Sequence, residues 1–328
     1  MTRVAQHTLV EAVNDALHTE MASDERVVVY GEDVAQQGGV FRATEGLQEA
    51  FGGDRVVDTP IAEIAIVGTA VGMAMGGYRP VVEIQFSGFV PAAFNQLVSQ
   101  ASRVRWRTRG ERTAPMVVRA PYGGGVRALE HHSESMEAAY AHVPGLKVVV
   151  PSTPRDAKGL LVSAIRDPDP VLYLEPKLVY RSFREEVPEG DHEVPIGEAA
   201  VRREGEDVTV VSYGAMMHPT TEAVDDLVEE GVDVELVDLR TVSPFDRETV
   251  IESVKKTGRC VVVHEAPKSG GFAGEVVATV NEEALLYLEA PVERVTGFDV
   301  PIPMLAKEDY YLPNPPRIRA AIEEVLDF

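Results

Sequence analysis

The chain has 328 residues, 45% of them hydrophobic, which is typical of a globular protein and is long enough for two domains. Its 53 acidic and 31 basic residues give a net charge of -22, which argues against a nucleic acid or an anionic membrane as the partner. Its single cysteine, Cys260, excludes an internal disulfide and any all-cysteine metal or iron–sulfur site.

Helix and strand patterns alternate from the start of the chain. Apolar residues at helical spacing predict an amphipathic helix over 9–21, and the apolar run 27–30 predicts a buried strand. Glu32 and Asp33 follow this strand directly, at the carboxyl end where open α/β sheets place their sites. Two carboxylates at a strand end are therefore candidates for a functional site. The next predicted elements are a helix over 44–51 and a strand over 55–58.

The segment that follows, Thr59-Pro60-Ile61-Ala62-Glu63, puts a carboxylate at the start of a helix. Pro60 favours a helix start because its φ suits the first turn and its missing N–H is not needed there. From 61 to 77 nearly every residue is apolar or small, so the helix is predicted to be buried in a seam between helices. Glu63 then needs a partner or a proton, unless it only stabilises the helix dipole. Three glycines lie along one side of this helix: Gly68, Gly72 and Gly76.

The next strand, predicted over 79–86, ends in polar and aromatic residues where a core strand would continue apolar. Gln85 lies in this stretch, and Phe89 follows it either as a platform for a bound ring or as part of the core. A long helix is predicted over 92–109. Its four arginines alternate and so cannot share one helical face, which makes them solvated or interface charge: Arg103, Arg105, Arg107 and Arg109.

A glycine-rich loop follows the strand predicted over 116–120. The loop, Pro121-Tyr122-Gly123-Gly124-Gly125, has neither the dinucleotide nor the P-loop spacing, so its glycines indicate unusual backbone angles or a close approach. His131 and His132 come next. Adjacent histidines cannot bind one metal from a helix as residues four apart can, so a zinc site is not expected. One of them could do acid–base chemistry near neutral pH, or both could be surface residues.

The rest of the chain predicts the fold class. A charged, proline-bearing stretch over 181–195 indicates a linker. The alternation predicts an α/β protein with two doubly wound domains and largely parallel sheets, over 1–185 and 201–328, joined by a linker over 186–200. The remaining strands are predicted over 146–150, 171–175, 208–213, 232–239, 260–264 and 292–297. Helices are predicted between them over 156–166, after 213 through 224, and over 246–256, 272–288 and 316–326.

The order of these segments resembles the beta subunit of the thiamine-diphosphate-dependent dehydrogenase component of 2-oxo acid dehydrogenase complexes, in the pyruvate and branched-chain group. The resemblance covers almost the whole chain and implies a pyrimidine-binding domain followed by a transketolase C-terminal-like domain. The matches are short and occur in one order: Gly31-Glu32-Asp33-Val34, Gly39-Val40-Phe41, Asp58-Thr59-Pro60-Ile61-Ala62-Glu63, Glu83-Ile84-Gln85-Phe86, Arg119-Ala120-Pro121-Tyr122-Gly123-Gly124-Gly125, His132-Ser133 and Pro144-Gly145-Leu146-Lys147-Val148-Val149-Val150-Pro151-Ser152.

The resemblance implies a cofactor role for four of the candidate residues. It puts Glu63 against the first pyrimidine nitrogen of thiamine diphosphate, where a shared proton favours the imino form of the exocyclic nitrogen. It puts Phe89 in a stack on that ring, with Ile61 and Gln85 lining it. The reaction implied is decarboxylation of a 2-oxo acid followed by transfer of the acyl group to a lipoyl group.

The resemblance also distinguishes the two histidines. His132, rather than His131, aligns with the family's active-site histidine, which is suited to orient substrate and to move protons during acyl transfer. His131 and Glu134 depart from the family pattern, in which tyrosine and glutamine are commoner at these two positions. Such departures could alter the fit of the substrate or of the lipoyl domain.

Partners are implied because this chain has no Gly-Asp-Gly stretch of the kind that holds magnesium and the diphosphate. An alpha subunit would supply that half of the site, in an assembly of two alpha and two beta chains with a subunit contact at the helix over 61–77. A lipoyl-bearing acyltransferase core and a small 2-oxo acid would be the other partners. Some relatives hold a monovalent cation such as potassium, for which Ala164, Asp167 and Asp169 are the candidates, and a helix-end turn with two acids is the alternative.

Other interpretations stay open from the sequence alone. An acetoin dehydrogenase or another two-chain transketolase-like enzyme would share these motifs, and a flavin-binding electron-transfer subunit would share the doubly wound fold. A non-catalytic scaffold would leave Glu63 and His132 unexplained. A cytoplasmic protein is expected, since the sequence shows no apolar signal region and no membrane-spanning segment. With 24 arginines and only 7 lysines, the acidic surface fits either a high-salt cytoplasm or ordinary solvation.

Overall fold

Two sheets covered by helices form the framework of the chain. A computed structural model describes residues 3–328. The first half contains, in chain order, β1 (Val4–His7), α1 (Leu9–Ser23), β2 (Val27–Gly31), α2 (Leu47–Phe51), β3 (Val56–Asp58), α3 (Glu63–Met75), β4 (Arg79–Glu83), α4 (Val104–Arg107), β5 (Val117–Tyr122), α5 (Glu137–Ala141), β6 (Lys147–Val149), α6 (Pro154–Arg166), β7 (Val171–Pro176) and β8 (Glu185–Pro188). The second half contains β9 (Ala200–Arg203), β10 (Val208–Ser212), α7 (Met217–Glu229), β11 (Val234–Asp238), β12 (Thr241–Ser243), α8 (Arg247–Thr257), β13 (Cys260–Pro267), α9 (Ala273–Glu283), β14 (Glu293–Gly297), α10 (Glu308–Tyr311) and α11 (Pro315–Asp327).

The larger sheet has seven strands in the order β12-β6-β7-β5-β4-β2-β3, and its described pairs are parallel apart from β12 with β6. The smaller sheet has five strands in the order β14-β13-β10-β11-β9, in which β9 runs antiparallel to β11 at the edge. Parallel neighbours need crossover connections, which helices provide here. The prediction of an α/β protein with two doubly wound, largely parallel sheets is confirmed.

Valine-rich strands supply the core on both faces of the sheets. β2, β5, β7 and β10 are buried at every residue, as expected for strands covered on both sides. One apolar cluster packs α1 and α6 against the larger sheet, and a second packs α3 against the opposite face. Both clusters continue into the smaller sheet, through Val210 in one and Val211 in the other. The two halves of the chain therefore share continuous cores.

The stretch predicted to be a linker forms a strand. β8 pairs antiparallel with β1, and Val187 is buried while its charged neighbour Glu186 is exposed. Lys158 Nζ donates to the Pro188 carbonyl at 2.7 Å, which fastens β8 to α6. β12, from the second half, joins the larger sheet beside β6, so the polypeptide returns to the first sheet after leaving it. The domain boundaries at 186 and 200 stay a prediction.

The segment predicted as one helix over 92–109 is helical but irregular. Short 3-10 turns lie on either side of a π turn over Gln96–Gln100, and α4 is 4 residues long. Pro91 has no N–H to donate, and the Ser102 hydroxyl donates back to the Val98 carbonyl at 2.8 Å. These two features interrupt the regular ladder of hydrogen bonds, which corrects the prediction of one regular helix.

Within this chain α3 is buried on one side only, whereas the sequence predicts a helix over 61–77 that is buried in a seam between helices. Its inner side packs apolar residues into the core: Ile66, Val67, Ala70, Val71 and Ala74. Its outer side is open, with Ile61 81% and Ile64 56% exposed. Apart from the chain neighbours and the helix's own backbone, no described atom lies within 4 Å of a Cβ built on Gly72. This chain therefore covers one side of the helix, and the seam with a second helix stays a prediction.

The helices are short. α1 spans 15 residues, whereas a bilayer span needs about 20 apolar ones. Across residues 3–328, no helix is long and apolar enough to cross a membrane. The cytoplasmic location expected from the sequence stays a prediction.

Candidate active site

The candidate site lies where β2, β3 and β4 end side by side. Gly31 at the end of β2 is paired with the last residues of both neighbouring strands, so the segments that follow emerge at one edge. The Thr59 N–H donates to the Gly31 carbonyl at 2.8 Å, which sets the path of the chain toward α3. The Gln85 side-chain amide donates to Asp33 Oδ2 at 3.3 Å. This edge therefore gathers the segments predicted to carry the site.

Two carboxylates, Glu32 and Glu63, lie within electrostatic reach of each other at this edge. Glu63 is the first residue of α3 and is half-buried. Glu32 is 7% exposed, and its Oε1 atom is buried with no hydrogen-bond partner among the described residues. Burial raises the pKa of Glu32, and the charges of Glu63 and Asp33 raise it further. A buried carboxylate oxygen of this kind needs a proton or an incoming donor, so the pair fits a ligand that supplies one.

The residues predicted to line the pyrimidine ring differ in exposure. Gln85 and Phe89 are half-buried, whereas Ile61 stands at the surface just before α3. An isoleucine that is solvent-exposed beside a half-buried carboxylate leaves the site open on that side.

Four rings pack together beside this edge: Phe86, Phe89, His131 and His132. The His132 ring centroid lies 4.2 Å from that of Phe86 and 5.6 Å from that of Phe89, both in edge-to-face geometry. The Phe89 ring also lies 5.5 Å from the His131 ring. The turn that carries the histidines crosses Gly88 so closely that a side chain there would overlap the His131 carbonyl. Gly88 thus permits the histidine turn to pack on the phenylalanines.

The two histidines have different surroundings. The His131 side chain is 40% exposed, and its Nδ1 atom lies 3.7 Å from Glu130 Oε1. The His132 Nδ1 atom is buried, without a hydrogen-bond partner in residues 3–328. Burial lowers the pKa of His132, and the charges of His131 and Lys177 lower it further. His132 is therefore neutral at neutral pH and able to accept a proton.

A buried ion cluster, which sequence reasoning missed, supports this edge of the sheet. Arg119 of β5 binds Glu175 of β7 through hydrogen bonds of 2.6 and 3.0 Å, and it binds Glu83 of β4 at 3.0 Å. The Tyr180 hydroxyl donates to the same Glu175 carboxylate at 2.5 Å. In the sequence, this cluster is indicated by an ionisable residue within each of three apolar strands: Glu83, Arg119 and Glu175. The cluster ties β4, β5 and β7 together under the site.

The glycine-rich loop after β5 is not a phosphate cradle. The Gly124 N–H donates to Glu265 Oε2 at 2.7 Å, and the Gly125 N–H donates to the Glu308 carboxylate. Both carboxylates are buried and belong to the second half of the chain. Donors that already point at carboxylates cannot bind a phosphate, which agrees with the absence of a phosphate fingerprint in the sequence.

At the cation site predicted at Ala164, Asp167 and Asp169, both carboxylates are paired with side chains of the protein. Lys147 Nζ binds Asp167 Oδ2, and Arg105 Nε donates to Asp169 Oδ1 at 2.8 Å. Both carboxylates are therefore neutralised by side chains of the protein. Ala164 is fully buried in the core.

The backbone oxygens at the end of α6 also have partners. Arg79 Nη1 donates to the Ile165 carbonyl at 2.7 Å and to the Asp167 carbonyl at 3.3 Å. Cationic side chains are favourable at a helix C-terminus, where the macrodipole is negative. Three cationic side chains of the protein thus surround the end of α6. A monovalent-cation site at Ala164, Asp167 and Asp169 stays a prediction, with a helix-end turn with two acids as its alternative.

The melting temperature of the purified chain is expected to be the same in potassium chloride and in choline chloride at equal ionic strength, because Arg79, Arg105 and Lys147 already neutralise the end of α6. Differential scanning calorimetry over a series of potassium concentrations checks this. Lys147→Met, which removes one built-in cation, should lower the melting temperature and so shows that the assay detects the site. A saturable rise of about 5 °C or more with potassium alone would instead indicate that this turn binds the cation.

Two family models together match most of the chain. The model of the transketolase pyrimidine binding domain matches residues 5–182, and that of the transketolase C-terminal domain matches residues 197–318. The first range contains the carboxylate pair and the histidine turn. The second contains the smaller sheet.

Relatives match over their full length. A pyruvate dehydrogenase E1 component subunit beta from Acholeplasma laidlawii is 53% identical over 318 residues, which cover 97% of this chain and 97% of the relative. The protein of the same name from Bacillus subtilis (strain 168) is 52% identical over 325 residues, or 99% of this chain and 100% of the relative. Among solved structures, a split gene transketolase described as an inactive beta4 tetramer has a TM-score of 0.77 at 23% identity, covering 98% of this chain and 99% of that chain. This last match shows a shared fold.

Proposed function

The chain belongs to the family of pyruvate dehydrogenase E1 component beta subunits, and from that premise we propose its substrate and the residues that act on it. It is the beta subunit of a thiamine-diphosphate-dependent 2-oxo acid dehydrogenase that works with an alpha subunit. The proposed substrate is pyruvate, and the identity of 53% and 52% to two relatives of that name carries this choice. The proposed acceptor of the acyl group is a lipoyl group on an acyltransferase core.

The carboxylate pair at the end of β2 fits the aminopyrimidine end of thiamine diphosphate. When bound, this cofactor supplies the nucleophilic carbon and the electron sink for decarboxylation. Glu63 would share a proton with the first pyrimidine nitrogen. Glu32 lies close enough for its charge to act on Glu63, and its buried Oε1 atom receives no hydrogen bond from the described residues. A protonated ring nitrogen is the kind of donor that this pair lacks.

Three further side chains are proposed to hold the pyrimidine ring. Phe89 would stack on it, and its packing against the two histidine rings supports that position. Gln85 would lie along the ring edge, with its amide held by Asp33. Ile61 would be covered by the ring and by the alpha subunit, which accounts for an exposed isoleucine in the isolated chain.

His132 is proposed to orient the substrate and to move protons during acyl transfer. Its ring is held edge-on against two phenylalanines, so its direction is set by packing. Its lowered pKa keeps the neutral imidazole at neutral pH, the form that can take a proton and return it within one turnover.

His132→Ala is expected to lower the rate of acyl transfer to a lipoyl domain by about a hundred-fold or more, whereas His131→Ala should lower it by less than about threefold. The reason is that the half-buried His132 ring packs edge-on on Phe86 with its Nδ1 atom buried, whereas the His131 side chain is 40% exposed beside Glu130. Both variants are assayed after reconstitution with the alpha subunit and with pyruvate as substrate. One assay uses an artificial electron acceptor and reports decarboxylation, and the other uses a lipoyl domain and reports transfer.

Equal effects of the two histidine substitutions would show that neither is catalytic or that the wrong one was chosen. If the unmodified complex failed to turn over pyruvate, the proposed function itself would be contradicted, whatever the variants do. Branched-chain 2-oxo acids and acetoin, offered to the same complex, show which substrate is preferred.

The chain offers half of a cofactor site. Residues 3–328 contain no group of three or more His, Cys, Asp or Glu side chains placed to hold a metal ion. The N–H groups of Gly124 and Gly125 already donate to carboxylates. A diphosphate needs a cation and several donors, so the alpha subunit is proposed to supply both, through magnesium. The exposed side of α3 is the proposed subunit contact in an assembly of two alpha and two beta chains.

A further inference from the structure

The glycine loop, defined here as residues 123–125, is held by three buried ionisable side chains. Lys177 Nζ donates to its first carbonyl, while its second and third N–H groups donate to Glu265, at 2.7 Å, and to Glu308. Lys177 follows β7, whereas Glu265 lies in β13 and Glu308 begins α10. Side chains from both halves of the chain therefore bind the loop. The three side chains, Lys177, Glu265 and Glu308, are called the clamp.

Glycine is needed in the loop because the clamp comes so close to its backbone. A Cβ atom on Gly124 would lie 2.6 Å from Glu308 Oε1. A Cβ atom on Gly123 would overlap the Glu265 carboxylate, and the φ of 77° at this residue also disfavours a side chain. The loop matches no phosphate-binding fingerprint. Its glycines instead leave room for the carboxylates of the second half of the chain to reach the backbone.

The glycine loop is connected to the turn that carries His132 by two routes. Its first N–H and the Ser87 hydroxyl both donate to the Glu134 carbonyl, at 3.3 and 2.8 Å, just after that turn. Lys177 Nζ also lies 5.9 Å over the Phe86 ring, on which the His132 ring packs. A shift of the loop therefore moves both the backbone beside His132 and the ring that supports it.

The clamp concentrates charge in a buried place. Burial raises the pKa of Glu265 to about 7, although its hydrogen bond from Gly124 and the charge of Lys177 act in the opposite direction. Burial lowers the pKa of Lys177 to about 8. Glu308 Oε2 is buried and has no hydrogen-bond partner in the described part of the chain. Burying such a set is a poor way to gain stability, which favours a role in the adjoining site.

We propose that Glu265 and Glu308, together with Lys177, are positioning residues for His132. By fixing the glycine loop, they hold the histidine in the orientation that acyl transfer requires. The C-terminal half of the chain thereby takes part in a site whose reacting groups lie in the first half. This inference rests on the proposed function of His132.

Glu265→Ala is expected to lower the rate of acyl transfer about ten- to a hundred-fold in the reconstituted complex, while decarboxylation stays within about threefold. Glu265→Gln should retain most of the transfer rate, since its side-chain oxygen can still accept from the Gly124 N–H. In a His132→Ala background, Glu265→Ala should cause no further loss, because the group that it positions is absent.

Glu235 provides the matched control. It is also buried in the smaller sheet, and like Glu265 it accepts from a glycine N–H, that of Gly205. A lysine is near both carboxylates: Lys256 donates to Glu235, whereas Lys177 acts on Glu265 through its charge. Glu235→Ala therefore makes the same change in the same kind of environment, away from the glycine loop. It is expected to leave the transfer rate per assembled complex unchanged, and a loss equal to that of Glu265→Ala would overturn the proposal.

Two other results would overturn it as well. One is an equal loss in both assays, and the other is a loss in the His132→Ala background as large as in the parent, because each would indicate a general structural effect. If Glu265→Ala does not assemble with the alpha subunit, Gly124→Ala, which displaces the Glu308 carboxylate, is judged by the same criteria. A complex in which His132→Ala itself has no effect would contradict the proposed function instead.

Discussion

Glu63→Gln is expected to lower the rate of pyruvate decarboxylation by about a hundred- to ten-thousand-fold in the complex with the alpha subunit. The amide has almost the shape of the carboxylate, but it cannot share a proton with a pyrimidine nitrogen as an acid does. Glu63 starts α3 beside Glu32, whose buried oxygen has no partner among the described residues. The loss should therefore appear in kcat, with the fold and the assembly unchanged.

Glu275→Gln is the control for this substitution, because Glu275 is an exposed acid in the first turn of α9. If Glu63 served only to stabilise the helix dipole, both substitutions would lower the melting temperature slightly and neither would slow the reaction. Activity of the Glu63→Gln complex within about threefold of the parent would exclude the proton-sharing role.

The fold follows from the sequence where strands are apolar and alternate with helices. β2, β7 and β10 are buried at every residue and read as runs of valine, leucine and tyrosine, the pattern of strands covered on both faces. The strands that the pattern does not reveal are short and lie at sheet edges or in the small two-stranded sheet: β1, β8, β9 and β12. Their pairing depends on distant partners, as in Val4 opposite Pro188, which no local pattern encodes.

Part of the candidate site can also be predicted from the sequence, and part of it cannot. Glu32 stands out because it directly follows an apolar strand, whereas Glu63 and His132 are identified by motifs whose order resembles a family. The ion cluster around Arg119 and the clamp could not be predicted in this way, because a charged residue in the sequence does not indicate which residue it will pair with. The hydrogen bond from Gly124 to Glu265 joins residues 141 positions apart. The glycines were visible in the sequence, but what approaches them was not.

A second prediction concerns cofactor binding, because the chain is proposed to supply only half of the thiamine diphosphate site. Alone, it is expected to bind thiamine diphosphate weakly and to turn over no pyruvate, and the alpha subunit with magnesium should restore both. The chain carries a charge of -22, and the N–H groups of Gly124 and Gly125 donate to carboxylates. Its described residues contain no group of three or more His, Cys, Asp or Glu side chains that could hold the metal ion of a diphosphate. The aminopyrimidine contacts proposed for Glu63, Gln85, Ile61 and Phe89 remain, so weak binding is expected rather than none.

Titration calorimetry of thiamine diphosphate into the purified chain, with magnesium present, is the direct test of the half-site. We expect a dissociation constant weaker than about 10 μM for the chain alone, and submicromolar binding with pyruvate turnover once the alpha subunit is added. Submicromolar binding together with turnover by the single chain, with no second protein present, would contradict it.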